Sequence, residues 1–301
     1  MGLDLYKLNH LIAVAEEGSF TRAATRLHLS QQALSTSVRT LEREVGVPLL
    51  ERSATGVTVL PAGQALIADA HLLHGIADSA VQRARRIGRS EPERLRVGHT
   101  PAVTGDEVTA LLRKHQTDPD LVIDVNQRYP DELVAQLLGG QLDLGLGRAL
   151  TLAHGLVGTT LIRQRLNVAV AAGHRLADRE TLGLSDLDGE EITVWGHPGR
   201  SGYTDLLVNL CRDAGFEPRV RRNPIQGTPP VTAVLDSEAV AFVTALPGPA
   251  AGGAVLVREL HPAVHVPLQA LWPQHSTSDA RQAFLASAQG FVSGEDGSIE
   301  G

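Results

Sequence analysis

A short run of polar side chains near the N-terminus has the chemistry needed to read a DNA sequence. Amide, hydroxyl and guanidinium groups hydrogen-bond to base edges in the major groove. A plain solvated helix face would carry similar side chains, so the residue types alone leave both interpretations open, although they favour base reading. The run consists of Gln31, Gln32, Ser35, Thr36 and Arg39, and Ser30 directly before it is also predicted to contact DNA.

Two short helices must hold this polar face. Ser19 and Ser30 can each cap a helix, because a hydroxyl accepts a hydrogen bond from an otherwise unpaired backbone N–H. Apolar residues at spacings of three and four follow each cap and predict that the helices pack against each other. These residues are Phe20, Ala23, Ala24 and Leu27 in the first helix, and Leu34, Val38, Leu41 and Val45 in the second.

A hairpin is predicted directly after the helix pair, within residues 47–60, with its turn at Gly56. Arg52 and Thr55 can reach phosphates or a minor groove from such a wing. An ion pair between Arg52 and Glu51 or Glu44 is the alternative. Other arginines available to attract phosphates are Arg22, Arg26, Arg39 and Arg43.

A second candidate chemistry lies in the middle of the chain, at Arg148. This arginine follows the apolar, glycine-rich run Leu142–Gly147, and a guanidinium can bind a carboxylate through two parallel hydrogen bonds. A structural ion pair with Asp143, or with an acid of a second lobe of the fold, is the alternative. The sequence therefore predicts either a binding site for a small organic acid or a buried ion pair.

The chain around Arg148 alternates apolar runs with helical patterns, which predicts parallel strands covered by helices. Two such sets of strands and helices, with the chain crossing twice between them, predict two lobes. The predicted elements include a helix near 229–236 and strands near 254–259 and 265–272. Ligands in such folds bind beyond the carboxyl ends of strands. That rule selects the following residues, although the hydroxyls among them could serve only as helix caps: Thr100, Pro101, Arg128, Arg148, Ser201, Gly202, Thr228 and Phe242.

A long helix is predicted between the two regions, over residues 61–92 with its hinge at the end. Apolar residues recur in it every seven positions, which is typical of helix pairing and predicts a dimer. The predicted pairing residues are Leu66, Leu73, Ile76, Ala80 and Ile87. The predicted domains are therefore 1–60, 61–92 and 93–291, followed by a disordered tail at 292–301.

Composition narrows the function classes. The 301 residues carry a net charge of −7, but residues 1–96 hold 12 Lys and Arg against 10 Asp and Glu. No apolar run is long enough to span a membrane, and no secretion signal is evident, so we expect a cytoplasmic protein. A single cysteine, Cys211, cannot form an internal disulfide. No metal-type or catalytic spacing occurs, so we expect no metal, no cofactor and no enzymatic activity.

The N-terminal region resembles that of LysR-type transcriptional regulators. The resemblance lies in Phe20–Ala24, Leu27–Gln31, Ala33–Ser35, Gly46–Arg52 and Pro61–Gly63. Two residues depart from the family pattern: Gln32 stands where Pro is common, and Thr36 where Arg is frequent. Both positions face DNA in the family, so the departures bear on operator sequence. The C-terminal region is similar by pattern to the family's effector domain. Gly145–Arg148 is similar to a motif in the branch of the family that senses aromatic-degradation intermediates, and in that branch this arginine contacts the effector.

The resemblance implies an all-α winged helix-turn-helix N-terminal domain plus a long linker helix, joined to a two-lobed α/β periplasmic-binding-protein-like domain. It implies three partners: a double-stranded DNA operator, a small-molecule effector, and further copies of the chain in a homodimer or homotetramer. A two-lobed binding protein or enzyme with an accessory nucleic-acid-binding domain is the alternative, because a fold does not by itself determine a function.

Overall fold

The computed structural model describes residues 2–53, 56–115, 118–225 and 227–289. They form two compact units. The first contains the chain up to Arg85 together with Leu138–Gln141, and the second contains Arg86–Leu137 and the chain from Leu142 onward. Thr55 and the predicted tail at 292–301 lie outside the described residues. The predicted domain boundaries stay predictions.

The first unit is built from three short helices, one hairpin and most of a long helix, as the spacing predicts. Ser19 and Ser30 cap the second and third helices, and Gly46 ends the third in a left-handed conformation with a φ of 86°. The elements are helices α1 (Leu5–Glu17), α2 (Phe20–Arg26) and α3 (Gln31–Val45), strands β1 (Leu50–Ser53) and β2 (Gly56–Val59), and helix α4 (Pro61–Arg89).

The apolar faces predicted for α2 and α3 form the core of this unit except at Val45, where the prediction is wrong because the side chain is exposed. Ala23, Leu34, Val38 and Leu41 are buried there against leucines of α1. Burying a leucine side chain contributes about 1.5–3 kcal/mol. The carboxylate of Glu42 accepts hydrogen bonds from the backbone N–H groups of the two residues that lead into β1, at 2.9 and 3.2 Å. The wing is thereby fastened to α3.

The remaining chain alternates strands and helices. In chain order its elements are β3 (Glu93–His99), α5 (Gly105–Leu112), β4 (Leu121–Gln127), α6 (Pro130–Leu138), β5 (Leu144–Gly147), β6 (Leu156–Ala171), β7 (Thr181–Leu182), β8 (Glu191–Val194), α7 (Gly202–Asp213), β9 (Arg219–Arg222), β10 (Ala241–Val243), β11 (Gly248–Ala250), β12 (Val255–Pro273) and α8 (Asp279–Gln289).

The sheet of the second unit is mixed rather than parallel. Its strand order is β10-β6-β12-β5-β3-β4, with β7 and β11 also paired to β12. Strands β3, β4 and β5 are parallel, whereas β12 runs antiparallel to both β5 and β6. Strands β8 and β9 form a separate parallel pair. The expectation of parallel strands is therefore correct for part of each lobe and wrong for the crossing strands.

The two long strands β6 and β12 connect two lobes. They pair along almost their whole length, from Val255 opposite Ala171 to Pro273 opposite Leu156, with a register shift between Glu259 and Val264. The strands predicted separately at 254–259 and 265–272 are thus one strand, β12. One apolar core lies around β3, β5, α5 and α8, in the first lobe, and another around β8, β10 and α7, in the second.

The helix predicted near 229–236 is a single 3-10 turn, Pro230–Val234. Pro229 and Pro230 stand at its start, where proline is tolerated because the first N–H groups of a helix have no partner within it. Asp236 then adopts a positive φ of 52°, which ends the helical path.

Candidate functional site

The polar face of α3 is largely open to solvent. Gln31, Gln32, Thr36 and Arg39 are all exposed, and the Ser30 hydroxyl accepts the backbone N–H of Ala33 at 3.1 Å. The Thr36 hydroxyl donates to the carbonyl of Gln32 at 2.9 Å, so its methyl group is free to face outward. The first three turns of α3 therefore present amide, methyl and guanidinium groups together.

Ser35 does not belong to this exposed face. It is only 8% exposed, and its hydroxyl accepts a hydrogen bond from Nη2 of Arg52 at 3.2 Å. Its position four residues after Gln31 places it one turn further along α3, where the wing covers it. The prediction that Ser35 shares the exposed face is wrong.

The guanidinium of Arg52 contacts the aromatic ring of Phe20 as well as the hydroxyl of Ser35. Its Cζ lies 4.0 Å from the centroid of the Phe20 ring, and none of the ion pairs of the described residues joins it to Glu44 or Glu51. A guanidinium stacked on an aromatic face is pre-oriented while its edge N–H groups remain available. Arg22 is less free, because its Nε lies 3.6 Å from a carboxylate oxygen of Glu17.

A cleft between the two lobes of the second unit holds a small cavity of about 30 Å³. Five of the eight predicted effector residues line it: Thr100, Pro101, Arg148, Ser201 and Gly202. The sequence-based selection did not include the aromatic walls, which are Tyr129, Trp195 and Tyr203. Tyr129 and Trp195 lie within two residues of the ends of β4 and β8, so the same strand-end rule could have found them.

Three predicted effector residues lie elsewhere. Arg128 is turned toward α6, where its Nε donates to Gln136 at 3.0 Å. Phe242 is 3% exposed in the apolar core of the second lobe. Thr228 does not line the cavity, because the turn that follows it is not the helix that would have aimed it there. The structure thus contradicts their placement in this cleft.

Local backbone geometry brings the two lobes close at the cleft. The Ser201 hydroxyl accepts the N–H of Thr204 at 3.4 Å and starts α7 at the cavity wall. Gly202 packs so tightly that an added Cβ would collide with the carbonyl oxygen of Ala149, from the other lobe. Glycine is needed here for close approach of the two backbones.

Arg148 is fully buried, and both Nη atoms of its guanidinium donate hydrogen bonds. Its Nη2 lies 2.7 Å from a carboxylate oxygen of Glu107, and its guanidinium also donates to the Gln164 side chain and to the carbonyl of Ala102. Asp143, one partner that the sequence suggested, instead pairs with Arg96 at 2.8 Å. The ion-pair alternative is therefore what the structure contains, with an acid that the sequence did not indicate.

Glu107 is equally well satisfied. Its carboxylate accepts the Thr104 backbone N–H at 2.8 Å in a capping box at the start of α5, and the Thr244 hydroxyl of the second lobe at 2.8 Å. Burial by itself would raise the pKa of Glu107, but the charge of Arg148 and these hydrogen bonds hold the pKa below its usual value. The pair is thus a charged, hydrogen-bonded unit beneath the cleft.

Three residues that line the cavity each have one buried polar atom without a partner among the described residues. These atoms are Nε of Arg148, Oγ1 of Thr100 and Nε1 of Trp195. Two of them are obligate N–H donors, and the third is a hydroxyl that can donate. Leaving a buried donor unpaired costs about 1–3 kcal/mol. The cavity wall is therefore suited to a ligand that supplies acceptor oxygens.

The predicted dimerisation residues of α4 differ in exposure. Leu73 is 37% and Ile87 67% exposed, and Ala80 is also exposed. Ile76 is half-buried, whereas Leu66 packs against the core of the first unit. Leu66 is thus partly used within its own unit, and Leu73, Ala80 and Ile87 remain the open part of the repeat.

No cluster of three or more His, Cys, Asp or Glu side chains that could hold a metal ion occurs among the described residues. None of the helices described is long and apolar enough to cross a membrane. Cys211 is buried, which raises the pKa of its thiol to about 11, so the reactive thiolate is scarce at neutral pH.

Known protein families match the sequence of both units. Residues 5–64 match the bacterial regulatory helix-turn-helix protein, lysR family, and residues 88–292 match the LysR substrate binding domain. The transcriptional regulator TcbR of Pseudomonas sp. (strain P51) is 31% identical over 221 residues, which cover 73% of this chain and 75% of TcbR. BenM of Acinetobacter baylyi is 31% identical over 220 residues, 72% of either chain.

Solved structures give the same result. The crystal structure of CbnR, a LysR family transcriptional regulator, matches with a TM-score of 0.56 at 26% identity, covering 95% of this chain and 100% of CbnR. Full-length CbnR complexed with its target DNA matches with a TM-score of 0.54 at 25% identity, covering 95% and 99%. The predicted family and fold class are confirmed: this chain belongs to the LysR family of DNA-binding, effector-responsive transcriptional regulators.

Proposed function

We propose that the effector of this regulator is a small carboxylic acid with an apolar body, and that it binds in the cleft between the two lobes. The observation that carries the proposal is the set of three unpartnered polar atoms in residues of the cavity wall, Thr100, Arg148 and Trp195. A carboxylate supplies acceptors to all three kinds of group. The N-terminus of α7 at the same wall also favours a negative charge.

The rest of the cavity suits an apolar body. Tyr129, Trp195 and Tyr203 contribute aromatic surface, and Leu150 and Leu207 contribute aliphatic surface. Burial raises the pKa of Tyr203 to about 12, so this phenol stays neutral. Small-molecule sites commonly combine such apolar walls with a few placed polar groups.

The cavity is too small for an organic acid in the described conformation. About 30 Å³ corresponds to one or two water molecules, whereas ligand pockets usually measure roughly 300–1,000 Å³. The two lobes must therefore separate to admit the effector, and the crossing strands β6 and β12 are the connections about which they would move. An effector that binds the opened form better than the closed form would shift the population between them.

Calorimetry on the full chain tests this proposal. A panel of small acids, beginning with benzoate, is titrated into the wild type and into Thr100→Val and Trp195→Phe. Each substitution removes one donor; the first keeps the side-chain shape and the second keeps an aromatic ring. We expect each variant to bind the panel's best ligand about tenfold more weakly, and Thr228→Val, outside the cavity, to bind it normally. Equal affinity in all four proteins would contradict the proposal.

For DNA recognition, we propose that Gln31, Gln32, Thr36 and Arg39 read bases, while Ser30 caps the helix that carries them. Their exposure and their location in the first turns of α3 support this assignment. Arg52 and Arg22 are proposed to contact the DNA backbone or the minor groove. Replacing Arg39 by Ala should lower affinity for the operator much more than affinity for random DNA, as measured by gel shift.

The assembly and location follow from the same assignment. We propose a homodimer or homotetramer paired through Leu73, Ala80 and Ile87 of α4, because one reading helix covers too few base pairs for operator specificity. The protein would act in the cytoplasm, where the operator lies. The matched relatives are named as transcriptional regulators, which supports a non-enzymatic role for the two-lobed domain over the alternative of an enzyme with an accessory domain.

A further inference from the structure

The charge balance of the cleft narrows the effector class further, if the effector binds there as proposed above. Arg148 is the only charged residue among those described that line the cavity. Its guanidinium is completely buried, and its partner Glu107 has a side chain that is 10% exposed. The two opposite charges are 2.7 Å apart, so the pair has no net charge.

We infer that Glu107 limits the effector to a single carboxylate, and that the cleft rejects dicarboxylates. A buried carboxylate is costly unless it is paired and hydrogen-bonded. The three unpartnered donors and the start of α7 can satisfy one such group. A second carboxylate would find the guanidinium's other edge already occupied by Glu107, Gln164 and Ala102.

Glu107 cannot readily leave this position to make room for a second anion. It is bound by the Thr104 backbone and hydroxyl at 2.8 and 3.1 Å and by the Thr244 hydroxyl at 2.8 Å. The bonds from Thr104 lie within the first lobe and remain when the lobes separate, whereas the bond from Thr244 crosses between the lobes. The carboxylate of Glu107 is therefore held in place. It competes with any ligand carboxylate that approaches the Nη atoms of Arg148.

Arg222 also lies near the cleft but does not replace Arg148. Arg222 donates from Nη2 to the hydroxyl of Tyr129 at 3.2 Å, and its Cζ lies 5.5 Å from the centroid of the Tyr129 ring. This arginine is exposed. Because solvent screens an exposed charge, Arg222 compensates a buried second carboxylate poorly.

The test compares acids that differ by one carboxylate, in the pairs benzoate and phthalate, and hexanoate and adipate. Calorimetry on the full chain is used for the wild type, Glu107→Gln and the control Asp106→Asn, which removes an exposed acid from the same helix turn. We expect the wild type and the control to bind the monocarboxylate of a pair at least tenfold more tightly. In Glu107→Gln the ratio should shift at least tenfold toward the dicarboxylate.

A double variant, Glu107→Gln with Arg148→Gln, restores a neutral pair and should return the ratio toward that of the wild type. It also keeps the inference testable if the single variant does not fold. A wild-type preference for dicarboxylates, or an unchanged ratio in folded Glu107→Gln, would overturn the inference. If only Glu107→Gln binds, and binds dicarboxylates, the charge limit stands while the carboxylic-acid effector of the wild type fails. If neither protein binds any of the four acids, both proposals fail.

Discussion

The guanidinium of Arg52 lies 4.0 Å over the ring of Phe20, so the wing and the start of α2 share one contact. The same guanidinium donates to the Ser35 hydroxyl of α3 at 3.2 Å. Arg52 is therefore positioned by two helices at once, and a side chain ordered before binding loses less conformational entropy when it contacts DNA.

Replacing Ser35 by Ala should weaken DNA binding without changing which operator is preferred. The substitution frees one side of Arg52 but leaves the exposed residues of α3 untouched, and one lost hydrogen bond is worth about 0.5–1.5 kcal/mol. Gel shifts with operator and random DNA should show a similar loss for both, of roughly three- to tenfold. A loss confined to operator DNA would instead mean that Ser35 reads a base.

Helix pairing through α4 should depend on Ile87. An aspartate at this position is tolerated by the monomer, because Ile87 is 67% exposed, but it places charge in the proposed contact between copies. Sedimentation should show Ile87→Asp as a smaller species than the wild type. Gln82→Asp, exposed on a different side of the helix, is the matched control and should leave the assembly unchanged. An unaltered mass for Ile87→Asp would remove this residue from the interface.

Acid should destabilise the protein partly through Glu107. The pKa of this group in the folded protein is below its ordinary value of 4.5, so its contribution is complete above pH 4.5 and is lost as pH falls through the folded value. At pH 7 we expect Glu107→Gln to lower the free energy of unfolding by about 3 kcal/mol, because Arg148 is left buried without a counter-charge. Denaturant unfolding should show this difference narrowing as the pH approaches 3.

If the difference in free energy of unfolding between Glu107→Gln and the wild type did not change with pH, this would argue against a paired carboxylate at Glu107. Asp106→Asn controls for the general effect of removing an acid from α5, and it should stay within about 0.5 kcal/mol of the wild type.

Close approach of the lobes should make Gly202 sensitive to any side chain. An alanine there would push against the Ala149 carbonyl, at an expected cost of about 1–3 kcal/mol in the free energy of unfolding. Gly105→Ala is the matched control, because a Cβ at that position meets no atom within 4 Å. If both variants unfold at the same denaturant concentration as the wild type, the described closeness of the lobes is not the resting state.

Local patterns in the sequence sufficed for the elements of the first unit, because helix caps and apolar spacing act over a few residues. They did not suffice for Ser35, whose burial depends on the wing folding back over α3. The partner of Arg148 was likewise out of reach: Glu107 lies 41 residues earlier in the chain, and only the fold brings the start of α5 beneath β5. Phe242 was misplaced because the strand-end rule does not tell which face of β10 its side chain occupies.

A small acid bound at Thr100, Arg148 and Trp195 is proposed to control operator binding. Fluorescence anisotropy of a labelled fragment from upstream of the chain's own gene, titrated with the tightest-binding acid in wild type and Trp195→Phe, measures this control. We expect the acid to change operator affinity or complex size in the wild type, and the variant to need about tenfold more acid for the same change. An identical dose response in the two proteins would contradict this proposal.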